Sequence, residues 1–142
     1  MTTRGHLHHL EIWLREAPSP DSGLPWLLAE LGYRREQTWG SGESWHLGGS
    51  YVVLESGPDV VDTPHERTRP GMNHVAFFAG TPAEVEALAA SATGHGFTLM
   101  FPDRHPFAGG PDHYAAYLED EAGFEVELVA HPYAPAAARP EG

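Results

Sequence analysis

The first fifty or so residues alternate between patterns typical of strands and helices. Apolar residues at every second position from Leu10 to Leu14 predict a β-strand whose other face carries polar side chains, including His9. Pro25 suits a first helical turn, and leucines at helical spacing follow until Gly32 ends the pattern. Three short strand-like runs come next, at residues 33–39, 44–47 and 50–55. The predicted order is therefore β-α-β-β-β.

The same order begins again further along the chain. Residues 73–79 have the apolar phase of residues 8–14, with His74 at the place of His9. Gly32 follows His9 at nearly the same distance along the chain as Gly96 follows His74. A helix with Thr81 as its N-cap comes after this strand, and strand-like runs cover residues 97–101, 114–119 and 124–130. These coincidences indicate a duplicated unit.

We therefore predict an α+β fold in one domain, built from two β-α-β-β-β modules whose strands form a cupped mixed β-sheet. The modules cover residues 6–55 and 72–130. Residues 56–71, rich in Pro, Asp, Thr, Arg and Gly, are interpreted as an exposed connection. The Ala- and Pro-rich tail, residues 132–142, is expected to be loose.

Composition narrows the classes of function. Twenty acidic residues against eight basic ones give a net charge of −12, which argues against binding to nucleic acid or to anionic membranes. All eight basic residues are arginine, so a lysine Schiff base is excluded. Without cysteine, a metal site would need nitrogen and oxygen ligands. The chain shows no long apolar segment, and we expect a cytoplasmic protein.

Histidines and glutamates recur at polar positions of the predicted strands. His9 and His74 lie on the two equivalent first strands, and the last strand of each module ends with carboxylates, Glu55 in one and Glu125 and Glu127 in the other. Facing sheets that carry imidazoles and carboxylates would have the outline of a metal site.

Three motifs carry a resemblance to a known family: His-His-Leu-Glu-Ile at residues 8–12, Asn-His-Val-Ala-Phe at 73–77 and Gly-Phe-Glu-Val-Glu-Leu at 123–128. In this order they resemble the vicinal oxygen chelate superfamily, which includes glyoxalase I, extradiol dioxygenases, fosfomycin-resistance enzymes and bleomycin-binding proteins. The resemblance implies one divalent metal ion, Fe, Ni, Co, Zn or Mn, held by His9, His74 and Glu127, with Glu55 as a fourth ligand.

Each candidate residue also has an ordinary structural interpretation. Glu125 shares a strand face with Glu127 and competes with it for the ligand position, and Glu55 could be a solvated strand end. Tyr117 precedes Gly123 by six residues, a spacing similar to that of an active-site tyrosine in the family, but core packing would also explain it.

Two further groups of residues have less specific candidate roles. His105 and His113 flank a Gly-Gly loop that could fold over a cavity, or they could be surface residues. Arg104 and Trp39 or Trp45 could line a substrate pocket. The remaining histidines are interpreted as structural or solvated: His6, His8, His46, His65, His95 and His131.

The leading hypothesis is a divalent-metal-dependent glyoxalase-type isomerase or lyase that acts on a small vicinal-oxygen substrate, with Glu55 or Tyr117 moving the proton. One alternative is an Fe(II) extradiol-type dioxygenase with a catechol-like substrate, in which Tyr117 or His113 serves as the acid-base partner. Another is a metal-free protein that binds an antibiotic or metabolite, like the bleomycin-binding relatives. The missing lysine argues against the fosfomycin-resistance branch, and the family resemblance favours a homodimer.

Overall fold

The computed structural model describes residues 4–134 of the 142-residue chain. The chain divides between Pro64 and His65 into two compact units, here called unit 1 and unit 2. This division falls inside the predicted connection. The part of the predicted tail from residue 135 onward lies outside the described residues.

Unit 1 contains a four-stranded sheet and one helix. Its sheet order is β1-β4-β3-β2, with β1 parallel to β4 and the other neighbours antiparallel. The elements along the chain are β1 (His9–Trp13), α1 (Gly23–Glu30), β2 (Arg34–Trp39), β3 (Gly42–Leu47) and β4 (Ser50–Glu55).

Unit 2 repeats this topology. Its sheet order is β5-β8-β7-β6, again with the first pair parallel and the others antiparallel. The elements are β5 (His74–Phe78), α2 (Pro82–Ala92), β6 (Phe97–Leu99), β7 (Ala115–Asp120) and β8 (Glu125–Val129), with a short 3-10 turn after α2. The predicted α+β class and the two β-α-β-β-β modules are confirmed.

Helix α2 begins where the sequence predicts. The Thr81 side chain accepts a hydrogen bond from the Glu84 backbone N–H, and the Glu84 carboxylate accepts one from the Thr81 N–H, so two otherwise unpaired donors of the first turn are satisfied. Pro82 occupies the first turn, where its missing N–H costs nothing. After the 3-10 turn, Gly96 adopts a left-handed conformation with φ of 90°, which ends the helical segment.

Strand β8 has one apolar face and one face that carries carboxylates, and the second face forms part of the candidate site in unit 2. Val126 and Leu128 are fully buried and belong to the apolar core together with Val85 of α2 and Leu118 of β7. Because successive side chains of a strand point to opposite sides, Glu125 and Glu127 lie on the other face.

Several strand boundaries differ from prediction, most of them by one residue. Strand β1 ends at Trp13, one residue before Leu14. Strand β6 stops at Leu99, before Phe101, whose φ of 52° is incompatible with an extended strand. Strand β3 starts earlier than expected, because Gly42 pairs with Glu55 on one side and with Trp39 on the other.

Candidate functional site

A group of polar side chains lies on one face of the unit 2 sheet. Glu127 on β8 pairs with Tyr117 on β7, and Glu125 pairs with His74 on β5. Both glutamates are almost fully buried, with exposed fractions of 3% for Glu125 and 5% for Glu127. A buried carboxylate is costly unless it is paired, so its partners decide what the site can do.

Glu127 lies between two imidazoles. Its Oε1 is 3.0 Å from His74 Nε2, and its Oε2 forms a short contact with His113 Nε2. His113 belongs to the segment just before β7 and is part-exposed, whereas His74 comes from the first strand of the unit. The structure therefore brings together the two predicted ligands of unit 2, and it adds His113, which the sequence left undecided.

Tyr117 completes this cluster. Burial raises the pKa of Tyr117, and the negative charge of Glu127, a hydrogen bond to that carboxylate and the charge of Glu125 raise it further. The phenol is therefore protonated at neutral pH and donates to Glu127. The hydroxyl therefore faces the buried carboxylates.

The segment before β7 passes close above these side chains. A Cβ atom built on Gly109 would lie 2.5 Å from Tyr117 Oη and 2.8 Å from His113 Cδ2. Only a residue without a side chain permits this approach. The Gly-Gly loop therefore covers the Tyr117–His113 side of the cluster. This agrees with the hypothesis that the loop folds over polar side chains rather than lying free on the surface.

His105, the other histidine flanking this loop, has a different partner. Its Nε2 is 2.8 Å from the Glu86 carboxylate on α2, which also accepts a hydrogen bond of 2.5 Å from the Tyr114 hydroxyl. That bond, with burial and the charge of Glu86, raises the pKa of Tyr114 to about 12. The pKa of Glu86 is lowered overall. Burial by itself would raise it, but the hydrogen bonds from Tyr114 and His105 and the charge of His105 outweigh the effect of burial. His105 thus anchors the loop to α2.

Sequence reasoning missed two neighbours of the cluster, Arg67 and Asn73. Arg67 Nη1 is 3.2 Å from Glu125 Oε1, although no hydrogen bond of good geometry reaches that buried oxygen. Asn73 Oδ1 is 2.7 Å from His74 Nδ1. No periodic pattern singled out Arg67, because it lies in the segment interpreted as an exposed connection. Asn73 was visible only as the polar neighbour of His74.

In unit 1, His9 has aromatic neighbours instead of carboxylates. Its ring stacks on Tyr51 at 4.7 Å between centroids, and His46 stacks on Tyr51 at 4.6 Å. His8 Nδ1 lies 2.8 Å from His9 Nδ1. Because His9 pairs with Tyr51 as His74 pairs with Glu125, Tyr51 occupies the position in unit 1 that corresponds to Glu125.

The same comparison of strand pairings shows where Glu55 lies relative to His9. The residue of β4 that corresponds to Glu127 is Val53, while Glu55 lies one step further on the same face and pairs with Trp13. Its two carboxylate oxygens accept hydrogen bonds of 2.5 Å, one from Trp39 Nε1 and one from Ser41 Oγ. The structure therefore separates Glu55 from His9 by four strand positions and fixes its carboxylate with neutral donors.

The fit of the unit 2 donors to a metal ion depends on their arrangement and on which nitrogen of His74 carries a hydrogen. Within residues 4–134, no group of three or more His, Asp or Glu side chains has the arrangement of a metal site. The chemistry nevertheless fits. His74 Nδ1 faces the acceptor Asn73 Oδ1 and must carry a hydrogen, so a neutral His74 turns its Nε2 lone pair toward Glu127 Oε1. Two acceptors 3.0 Å apart need a proton or a cation between them.

The comparisons with known proteins agree with the topology and the motifs. The model of the Glyoxalase/Bleomycin resistance protein/Dioxygenase superfamily matches residues 4–128. The chain belongs to this superfamily. It is 37% identical over 125 residues to the uncharacterized protein YqjT of Bacillus subtilis strain 168, covering 87% of this chain and 98% of YqjT. The resemblance inferred from the three motifs is thereby confirmed.

Solved structures of superfamily members show the same fold. A candidate glyoxalase from Bacillus halodurans is 41% identical, with a TM-score of 0.82 over 89% of this chain and 96% of that one. A glyoxalase/bleomycin resistance protein from Albidiferax ferrireducens T118 is 18% identical, with a TM-score of 0.69 over 89% and 98%. At that identity, the second comparison supports the fold alone.

Membership of the superfamily leaves the reaction open, because its members include enzymes and binding proteins. The site residues of this member must therefore be judged from their own geometry. None of the described helices is both long and apolar enough to cross a membrane.

Proposed function

We propose that this superfamily member is a divalent-metal-dependent enzyme of glyoxalase type, an isomerase or lyase whose small substrate carries vicinal oxygens. The observation that supports this most is the buried Glu127 carboxylate, held between His74 and His113 with the Tyr117 hydroxyl beside it. A carboxylate and an imidazole with a neighbouring acid combine metal-binding and proton-moving groups in one place.

His74 Nε2 and Glu127 would hold the metal ion, since neutral imidazole nitrogen and carboxylate oxygen suit Fe, Mn, Co, Ni and Zn. Bound there, the ion would supply Lewis acidity that polarises the substrate oxygens. The family resemblance also implies His9 and Glu55 as ligands. These two assignments remain predictions, and Glu55 is the weaker because Val53 occupies the position equivalent to Glu127.

Tyr117 and His113 are the proton-handling groups of this proposal. The raised pKa of Tyr117 keeps its phenol protonated, so that it donates a proton or a hydrogen bond. His113 lies on the loop and its side chain is 41% exposed, so it can exchange protons with solvent while contacting Glu127. The predicted role of Glu55 as an alternative base remains a prediction.

The test is the metal content of untagged protein, measured by mass spectrometry before and after anaerobic reconstitution with Fe(II), Mn(II), Co(II), Ni(II) and Zn(II). We expect one tightly bound ion per chain in the wild type and none in His74→Ala or Glu127→Gln. His131→Gln is the matched control, because that histidine is exposed and contacts Phe78. His9→Ala and Glu55→Gln examine the two remaining ligands. Unchanged metal content in Glu127→Gln would refute the proposal.

The placement of His113 and Tyr117 around the same carboxylate also favours a second candidate, an Fe(II) extradiol-type dioxygenase. Oxygen consumption by Fe(II)-loaded protein with catechols separates the two, because an isomerase or lyase consumes none. A protein that binds no metal under any condition would instead be a metal-free binding protein for an antibiotic or metabolite. The expected homodimer is checked by light scattering.

A further inference from the structure

We infer that Asn73 is a positioning residue that fixes the tautomer and ring orientation of His74, so that Nε2 is presented as an unprotonated ligand. This inference rests on the proposed function in one respect, that His74 binds a metal ion. The hydrogen-bond chain behind it runs from the backbone of Arg67 through the Asn73 amide to the His74 ring.

The orientation of the Asn73 amide is set by Arg67. Asn73 Nδ2 donates a hydrogen bond of 3.1 Å to the Arg67 carbonyl oxygen, which can only accept. The amide nitrogen must therefore face Arg67, and the amide oxygen faces His74. This removes the ambiguity between the two ends of the amide.

The amide oxygen in turn fixes His74. Asn73 Oδ1 lies 2.7 Å from His74 Nδ1, and since a carbonyl oxygen has no hydrogen to give, Nδ1 must be the donor. The remaining nitrogen, Nε2, points at Glu127. Histidine ligands commonly depend on such a partner for the nitrogen that does not bind metal.

Glu125 is the other acceptor near His74 Nδ1, but it lies too far away to form a hydrogen bond. Glu125 Oε2 is 3.7 Å from that nitrogen, beyond hydrogen-bond distance, while Glu125 Oε1 pairs with the Arg67 guanidinium at 3.2 Å. Arg67 thus contributes twice, through its carbonyl to Asn73 and through its side chain to Glu125. The partner of His74 Nδ1 is consequently a neutral amide, whereas the carboxylate of Glu127 faces Nε2.

The experiment compares Asn73→Ala and Asn73→Asp with the wild type. The alanine variant removes the acceptor for Nδ1–H, whereas aspartate keeps an acceptor oxygen but loses the donor to the Arg67 carbonyl, so its recovery is expected to be incomplete. We expect the Zn(II) dissociation constant, measured by chelator competition, to rise roughly 10- to 100-fold in Asn73→Ala and to recover at least partly in Asn73→Asp. Thr68→Ala is the control for disturbance of the segment, because its hydroxyl bonds only locally to Glu66.

Nitrogen-15 NMR of the histidine rings supplies a readout that general destabilisation would not move. In alkaline buffer, where ordinary imidazoles are neutral, wild-type His74 should carry its hydrogen on Nδ1, and Asn73→Ala should populate the Nε2–H form. An unchanged tautomer and an unchanged Zn(II) affinity in Asn73→Ala would overturn the inference. If the wild type binds no metal but the tautomer still shifts, the proposed function fails while the positioning role of Asn73 stands.

Discussion

At Gly109 the site depends on the absence of a side chain. The loop backbone approaches the Tyr117 hydroxyl and the His113 ring so closely that a Cβ would overlap both. Gly109 is not in the left-handed region of φ, so the constraint is one of space rather than of backbone conformation. A sequence gives no sign of such a contact, because it depends on which distant side chain lies beneath the loop.

We predict that Gly109→Ala pushes the loop away from Tyr117 and His113. Overpacking of this kind costs about 1–3 kcal/mol, so the free energy of unfolding should fall by that amount, and turnover should fall with it. Urea denaturation measures the first effect and steady-state kinetics the second. Gly94→Ala is the matched control, because a Cβ there meets no atom within 4 Å and its φ is not left-handed. Equal behaviour of the two variants would contradict the close approach.

At the scale of single elements, strand β8 illustrates what the sequence can reveal. Alternation alone places Glu125 and Glu127 on the face opposite Val126 and Leu128, and the capping residues mark the start of α2. Local patterns suffice for such features because they arise from backbone periodicity. The choice between the two glutamates as the partner of His74 Nε2 required the side-chain contacts, because the strand register pairs His74 with Glu125 while Nε2 contacts Glu127.

The position of Glu55 along the chain made it a natural candidate, and the strand register shows that it does not correspond to Glu127. Glu55 is the last residue of β4, and Glu127 lies close to the end of β8. No other residue of β4 carries a carboxylate. Only the pairing of β1 with β4 shows Val53 at the equivalent position. The contacts of His113 with Glu127 and of Arg67 with Glu125 could not be predicted, since both residues lie in irregular segments, although His113 was a candidate.

Glu86 on α2 is bonded to His105 and Tyr114, and these contacts predict that the free energy of unfolding depends on pH. Because the pKa of Glu86 is lowered in the folded protein, its contribution to the free energy of unfolding is complete above the ordinary value of 4.5 and is lost as pH falls through the folded pKa. The pKa of Tyr114 is raised from 10.0 to about 12, so its contribution is complete below pH 10 and is lost as pH rises toward 12. Urea denaturation across this range tests both.

Variants identify the groups behind the two limbs of this profile. Glu86→Gln should flatten the acidic limb, and Tyr114→Phe the alkaline one, because each removes the group whose pKa differs between the folded and unfolded states. Each substitution should also weaken the other limb, because the Glu86–Tyr114 bond shifts both pKa values. Tyr51→Phe in unit 1 is the control for loss of a tyrosine hydroxyl. An alkaline limb that is unchanged in Tyr114→Phe would show that the Glu86–Tyr114 bond does not carry this dependence.

At the scale of the whole molecule, two units with the same topology have different chemistry. The pairing of β1 with β4 matches that of β5 with β8, yet His9 has Tyr51 and Val53 at the positions where His74 has Glu125 and Glu127. Unit 2 therefore contains both histidine and carboxylate donors of a candidate site, while unit 1 offers a stack of histidine and tyrosine rings at the same place.

The net charge of −12 gives a prediction that involves the entire surface. A strongly negative protein attracts divalent cations over distances of about a Debye length, roughly 10 Å at 0.1 M salt, and added salt screens this attraction. The association rate of Co(II), followed by the stopped-flow absorbance of the bound ion, should therefore fall as NaCl is raised, whereas sucrose should change it only through viscosity. The same field gives no such assistance to an anionic substrate. A rate independent of salt would mean that the acidic surface does not steer metal entry, leaving local donors such as His74 and Glu127 to account for binding alone.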